Sequence, residues 1–485
     1  MAEASEKQSM PETNNSKTSE PTTVKYDRSI IEGSLARAVW KIAWPTMLTN
    51  AFSGLQGIID HVLVGNFVGG KANAAIGVSV QLWIVVIVFI SSIFIGMNVL
   101  VARFVGAGDE EKVNRTVYQA FLTAAFLAFV VLAPIGYLAA PYLLDLVNAA
   151  PEVQSEALPY LRIMYVFSGG MLIFFMLGGA LRSAGDARTP MVLGIVMTLL
   201  NLVLSFVLII GVGPVPAFGT IGSAMGTVIA AGLVAIYSIW KLVSGGWVVS
   251  FPQRGYAPDW DVIKKLFKFG LPAGFQGIAM NIGGVAMLAF IGSLAQSAAA
   301  QAAYAVAYMQ VFSLITWTSM GLMGAAATVA GQNLGARQPD RALKAVHTAA
   351  RFGLAGATFL GIFFFFFPEK ILGLFGLTDP VITSIGTQLL RTLSLSGLFI
   401  AMALTYTGGL QGTGDTKSPM YISIISQLVL PLTICFVVQQ TVGLEAIHIW
   451  LAILAGHFTR FLLSFIRFNQ GGWRNIAVDI TASPN

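Results

Sequence analysis

From about residue 41 the chain alternates between long apolar stretches and short polar connections. Twelve stretches of about 20 or more residues stand out, at 41–67, 73–101, 116–143, 157–181, 189–212, 219–243, 264–293, 299–329, 346–367, 384–410, 418–440 and 446–468. Each is long enough to cross a hydrocarbon layer of ~30 Å. The purest runs from Leu354 to Phe367 and ends in five consecutive phenylalanines. Backbone polar groups find no water partner in lipid, so each stretch is predicted to be a helix. The expected fold class is an all-α membrane protein of twelve transmembrane helices. Ahead of them, Met1 to Thr23 is built from Ser, Thr, Glu, Asn and Pro with almost no apolar residue. Such a segment buries too little to offset its ordering entropy, and residues 1–36 are expected to form a disordered tail. It also lacks the basic and apolar regions of a cleaved signal peptide.

Composition strengthens this picture. Of the 485 residues 56% are hydrophobic and 10% charged, with a mean hydropathy of +0.76. Soluble domains carry about 25% charged residues, so this chain cannot coat a water-facing surface. Its 51 glycines fit membrane helices, where glycine is frequent. The lone Cys435 rules out a disulfide framework or a thiolate metal cluster. The net charge of +6 comes from connections on one side. After even-numbered spans stand Arg103, Lys112, Arg115, Arg182, Arg188, Lys241, Arg254, Arg337, Arg341, Lys344, Lys417 and Arg467, whereas the odd-numbered connections hold only Lys71 and Lys370. The expected topology is multi-pass in the plasma (inner) membrane with both termini cytoplasmic. The same asymmetry accounts for the positive charge without a nucleic-acid partner.

The two halves are copies. Gly179-Ala-Leu-Arg-Ser-Ala-Gly-Asp-Ala-Arg-Thr-Pro-Met191 reappears as Gly408-Gly-Leu-Gln-Gly-Thr-Gly-Asp-Thr-Lys-Ser-Pro-Met420, 229 residues later. The same shift relates Gly106 to Gly335, Gln81 to Gln310 and Arg162 to Arg391, while Pro45 and Gly65 map to Pro272 and Gly292 at a shift of 227. Six crossings return the chain to its starting side, so the repeat is parallel and its pseudo-twofold axis lies along the membrane normal. The expected organisation is a tail at 1–36, six-helix bundles at 37–250 and 251–470, and a cytoplasmic tail at 471–485. Folds of this kind suit alternating-access transport.

One acid lies well inside an apolar span. Asp60 follows Asn50, Ser53, Gln56 and Gly57 in the first span, and its counterpart in the second half is Met287. A carboxylate at a helix centre costs roughly 2.5–3.5 kcal/mol on insertion scales and marks an ion or proton site by default. The alternative is a solvated group near the outer rim, paired with a base. Asn50, Ser53, Gly57 and Asp60 recur at helical spacing and share a face, as do Gly194, Thr198, Asn201 and Ser205 in the fifth span. These stripes could bound a hydrated cavity or serve helix packing, which uses the same residue types. Gln81 and Gln310 face protein or cavity. Arg162 and Arg391 either snorkel to headgroups or join a gate. Asp186 and Asp415, in glycine-flanked turns ahead of Pro190 and Pro419, read as helix caps.

Twelve spans in two halves, Gly57-x-x-Asp60-x-x-x-x-Gly65, Gly106-Ala-Gly, Gly331-Gln-Asn-Leu-Gly-Ala336, the paired Gly-Asp turns and Pro272 together resemble the multidrug and toxic compound extrusion (MATE) transporters of the MOP superfamily. The resemblance covers about residues 37–470. It implies a V-shaped pair of bundles and export of amphipathic or cationic small molecules in exchange for protons or sodium. It also implies cation coupling through Asp60 and Asn201, with Thr198 and Ser205 beside them. Asn50, Ser53, Gln56, Gly57, Gln81 and Gln310 are the candidates for the substrate cavity. Ser205 and Met280 stand where some members carry further acids, which favours protons over sodium here. No cofactor or bound metal is expected beyond the coupling ion, and the partners are the small-molecule substrates and the bilayer, with the chain acting as a monomer. A flippase of lipid-linked precursors, from the same superfamily, is the alternative. An enzyme is not expected: there is no Gly-x-x-x-x-Gly-Lys-Ser/Thr loop, and the four histidines are scattered.

Overall fold

The computed structural model describes residues 26–147 and 149–479, and only the backbone at 55, 56, 58, 59, 70, 73 and 84–91. The first six long helices are α1 (Leu35–Phe67), α2 (Gly70–Ala107), α3 (Glu110–Leu146), α4 (Pro151–Val166 and Gly169–Ser183), α5 (Arg188–Ile210) and α6 (Thr220–Val243). The second six are α7 (Trp260–Gly292), α8 (Ser297–Gly335), α9 (Pro339–Phe366), α10 (Pro380–Thr413), α11 (Lys417–Thr441) and α12 (Ala446–Asn469). Among the described residues, 9 of these qualify as spans by length and hydropathy, and the two parts of α4 together make a tenth. With α1 and α2, of 33 and 38 residues, there are twelve.

Start signals explain where the helices begin. Asp109, Asp259 and Asp379 accept backbone N–H bonds at the starts of α3, α7 and α10. Asp186 accepts from the Thr189 N–H at 3.0 Å and its hydroxyl at 2.5 Å, and Asp415 does the same for Ser418 at 3.2 and 2.8 Å. Both repeated aspartates are therefore caps. The outer faces present Phe359, Phe363, Phe365 and Phe366 on α9, and Ile236, Trp240 and Val243 on α6, all exposed. On a soluble protein such a surface would be a liability; in lipid it is the expected finish.

The helices form two six-helix bundles, α1–α6 and α7–α12. In the first, α5 packs on α6 and α1, and α2 on α4; in the second, α10 packs on α8, α9 and α12. The bundles meet through α1 against α8, and through α2 against α7 and α8. Small residues permit this approach. A methyl added at Gly106 would overlap the Gln332 carbonyl, and one at Gly335 the Arg103 carbonyl. These two contacts are images of each other under the 229-residue shift. Gly96 meets Leu266 and Gly270 meets Ser92 with equal closeness.

All these contacts lie toward the face that carries the arginine- and lysine-rich connections. Farther along, Gly57 and Gly77 meet nothing within 4 Å. The bundles thus join at the basic face and part toward the opposite one. The seam is clasped on the basic side: Asn333 donates to the Ile30 carbonyl at 3.3 Å, Arg103 to the Ile476 carbonyl at 2.6 Å, and Lys112 pairs with Asp479 at 3.0 Å. Ile30 and Trp473 are fully buried. Ordered chain therefore starts before residue 37 and continues past 470, because each flanking segment brings an apolar anchor to the bundle ends. Residues 1–25 of the expected tail lie outside the described residues.

Candidate ion-coupling site and cleft

The α1 stripe crosses from the seam into the cleft. Asn50 donates its side-chain amide to the Trp317 carbonyl on α8 at 3.2 Å, and Gly54 packs on the Trp317 ring. Asn50 is thus a bridge between bundles in this conformation. One turn on, Ser53 is exposed and its hydroxyl donates to the Thr49 carbonyl at 3.0 Å. Gly57, one more turn along, is exposed in open space. The side chain of Gln56 lies outside the described residues.

Asp60 is half-buried at the next step, inside the first bundle, and its Oδ1 is shut off from water with no hydrogen-bond partner. The carboxyl lies within electrostatic reach of Tyr160 on α4, a buried residue that the sequence reading missed. An unpaired buried carboxylate oxygen is costly, and taking up a proton lowers that cost.

On α5, Thr198, Asn201 and Ser205 are all buried. The Asn201 amide donates to Thr227 Oγ1 on α6 at 2.9 Å and to Ser205 Oγ at 3.3 Å. Thr227 was also missed, although Ser223 and Thr227 repeat at helical spacing on α6. Helices α1 and α5 run in the same direction, and Thr49 lies 3.2 Å from the place of a methyl on Gly194. Eleven residues farther on each helix, at the same rise per residue, Asp60 and Ser205 reach the same height. The structure therefore joins Asn201 to Ser205 and Thr227, and sets Asp60 beside Tyr160 at that level.

Gln81 is exposed and lines a cavity of 280 Å³ whose other walls, Met280, Met287, Tyr304, Tyr308 and His457 among them, belong to the second bundle. Gln310 is exposed, and its neighbour Met309 lines that cavity. Arg162 stacks on Tyr137 at 4.3 Å and Arg391 on Phe365 at 5.9 Å, so both lie against aromatic rings of the neighbouring span. Among the described residues there is no group of three or more His, Cys, Asp or Glu that could hold a metal.

Two pseudo-symmetric six-helix bundles, joined at one face and parted at the other around a carboxyl inside a span, define a membrane transporter of the two-bundle type. The family model described as MatE matches residues 45–207 and again 272–437, one copy per half. The chain belongs to the MatE family, whose members are transporters and not enzymes. It is 28% identical over 443 residues to the "Probable multidrug resistance protein NorM" of Thermotoga maritima, covering 90% of this chain and 93% of that protein. It is 28% identical over 433 residues to the "Probable multidrug resistance protein YoeA" of Bacillus subtilis, covering 89% and 92%. Its fold superposes with a TM-score of 0.84, at 20% identity, on the outward-facing conformation of a multidrug resistance MATE family transporter of the MOP superfamily, covering 92% of this chain and 98% of that one.

Proposed function

We propose that this protein is a secondary active antiporter that exports amphipathic, cationic small molecules in exchange for protons. The observation that carries the reading is Asp60: an acid inside a membrane span, facing the first bundle, with one oxygen buried and unpartnered. The names of the relatives, multidrug resistance proteins over nearly their full length, support drug-like substrates. With the bundles parted, Asp60 takes a proton from the opposite side and loses its attraction for a cation, which leaves. With the bundles reversed, the proton departs toward the basic side and the carboxylate accepts the next cation. Competition for one group couples the two flows, and no other chemistry is needed.

Sodium requires several oxygen ligands. The Asn201 amide N–H2 already donates to the Thr227 and Ser205 hydroxyl oxygens, which leaves Asn201 Oδ1 and Thr198 to join Asp60, a smaller oxygen set than a cation of this kind calls for. The lysine and arginine asymmetry supports a plasma-membrane location with the basic face cytoplasmic. A lipid-linked precursor flippase calls for a cationic cleft; Arg162 and Arg391 rest on aromatic rings, which leaves Arg460 in the last span as a single base for that role.

The test is a proteoliposome assay in which a pH gradient and a sodium gradient are imposed separately on a panel of fluorescent cations. Export driven by the pH gradient alone is expected. Movement driven only by sodium, or only of a lipid-linked substrate, contradicts the proposal.

A further inference from the structure

The second bundle has no acid in its spans, yet it holds a buried base. Arg460 on α12 is 1% exposed, and its Nε and Nη1 have no hydrogen-bond partner. The acids of this half, Asp259, Asp261, Asp340, Glu369, Asp379, Asp415 and Glu445, all stand at helix ends or in connections. An unpaired guanidinium within a span costs several kcal/mol and is a functional feature by default.

The buried stripe of α12 repeats the pattern. Trp450 Nε1 near its start and Ser464 Oγ one turn beyond Arg460 also lack partners, while Ile453 and His457, on the same face, line the 280 Å³ cavity. Apart from the hydroxyl, which can play either role, every unsatisfied polar atom on this stripe is a donor. What is missing is an acceptor.

The surroundings are built to hold their shape. Trp450, Tyr304, Tyr308, Phe312 and His457 form a continuous stack, with successive centroids 6.1, 4.8, 5.4 and 5.8 Å apart. His457 is fixed from behind by Ser396 Oγ at 2.5 Å from Nδ1. Arg460 lies one helical turn, roughly 5 Å, deeper than His457, close enough for its charge to act on both Tyr308 and His457. Its counterpart in the first half, at the 229-residue shift, is Ala231. The base is therefore as particular to the second bundle as Asp60 is to the first.

We infer that the second bundle contains an anion-binding site at the foot of this cavity, with Arg460 as its charged donor, Ser464 beside it and the aromatic stack as its wall. The ligand is a monovalent anion, either the carboxylate of an organic acid with an apolar body or a free halide. The site is separate from Asp60 and needs no ion gradient, so it stands or falls independently of the exchange reading.

The experiment uses the purified full chain in detergent, at constant ionic strength with sodium sulfate, a divalent anion outside the proposed ligand class, as background. Sodium benzoate and sodium chloride are titrated in turn while thermal unfolding is followed. Saturating anion is expected to raise the midpoint of the parent by about 2–4 °C. Arg460→Gln is expected to be at least as stable as the parent without anion, having lost an uncompensated charge, and to show no response. Radiolabelled benzoate and chloride binding to the parent, expected at one site per chain, gives a reading that depends on no variant. Binding of benzoate but not chloride assigns the site to organic carboxylates, and binding of chloride alone to the halide. No binding of either probe by the parent, or an unchanged response in Arg460→Gln, overturns the inference.

Discussion

The two bundles share one backbone plan and carry opposite chemistry. At the repeat shift Asp60 corresponds to Met287, Asn201 to Leu430 and Ser205 to Ile434. These three positions are thus apolar in the second bundle, while Thr198 keeps a polar counterpart in Gln427. The second bundle instead buries Arg460 where the first has Ala231. Their frames differ too. Helix α4 bends by 50° between Val166 and Gly169, while its counterpart α10 runs unbroken over 34 residues. The bend falls at Ser168-Gly169, a pair that weakens a helix, and Ser168 donates to the Tyr165 carbonyl at 3.1 Å. What the bundles keep in common is the seam: each offers a glycine to the other's backbone at the same place. Symmetry is retained at the seam between the bundles and abandoned in their interiors, as the proposed exchange requires if the seam is the joint and the interiors hold the ligands.

The seam gives the largest expected effect. Gly106→Val and Gly335→Val each drive a side chain into a carbonyl of the other bundle, an overpacking cost of about 1–3 kcal/mol. Transport by either variant should fall by roughly tenfold, with the protein still in the membrane. Gly356→Val, exposed on α9 with nothing within 4 Å, should transport within about twofold of the parent in the same efflux assay. Equal loss in all three would mean that the seam is not the moving joint.

The polar cluster comes next. Asn201→Ala removes two hydrogen bonds, one to the buried Ser205 hydroxyl and one to the half-buried Thr227 hydroxyl, and should lower the stability of the purified protein by about 1–2 kcal/mol, read by denaturant or thermal unfolding. Leu430→Ala, at the corresponding place, loses only packing, and in it the ion dependence of transport should stay that of the parent.

The smallest difference concerns the paired turns. Asp415 is buried and accepts a bond from Arg467 Nε at 3.0 Å in addition to its capping bonds, whereas Asp186 is half-buried. Asp415→Asn should therefore cost about 1 kcal/mol more than Asp186→Asn, and thermal unfolding of the two variants checks it.

Much of this frame was legible in the sequence. All twelve spans emerged from hydropathy because a lipid-crossing segment is long, apolar and bounded by charge. The helices run several residues farther at the basic face, where Glu110, Trp260 and Pro339 open α3, α7 and α9 in water and hydropathy falls silent. The internal repeat was visible because tight turns tolerate few residue types.

What stayed hidden was orientation about each helix axis. Lipid and protein interior are equally apolar, so hydropathy could not say that Asn50 reaches across to Trp317, or that Tyr160 and Thr227 complete the first bundle's polar group. The π turns at Leu127–Leu132, Ala305–Val311 and Ile424–Val429 had no signal either, because one inserted residue leaves composition unchanged. Arg460 was visible as a charge in the last span, but its lack of a partner is a fact of three dimensions.

The central claim is that Asp60 carries the exchanged proton, and one measurement bears on it most directly. Asp60→Asn and the parent are reconstituted side by side, and uptake or release of a fluorescent cation is followed after a pH jump across the vesicle wall. The parent should move the dye with the jump, faster as the proton-supplying side is made more acidic, while Asp60→Asn should be inserted and folded yet indifferent to the gradient. A variant that still answers the pH jump at the parent's rate would contradict the account.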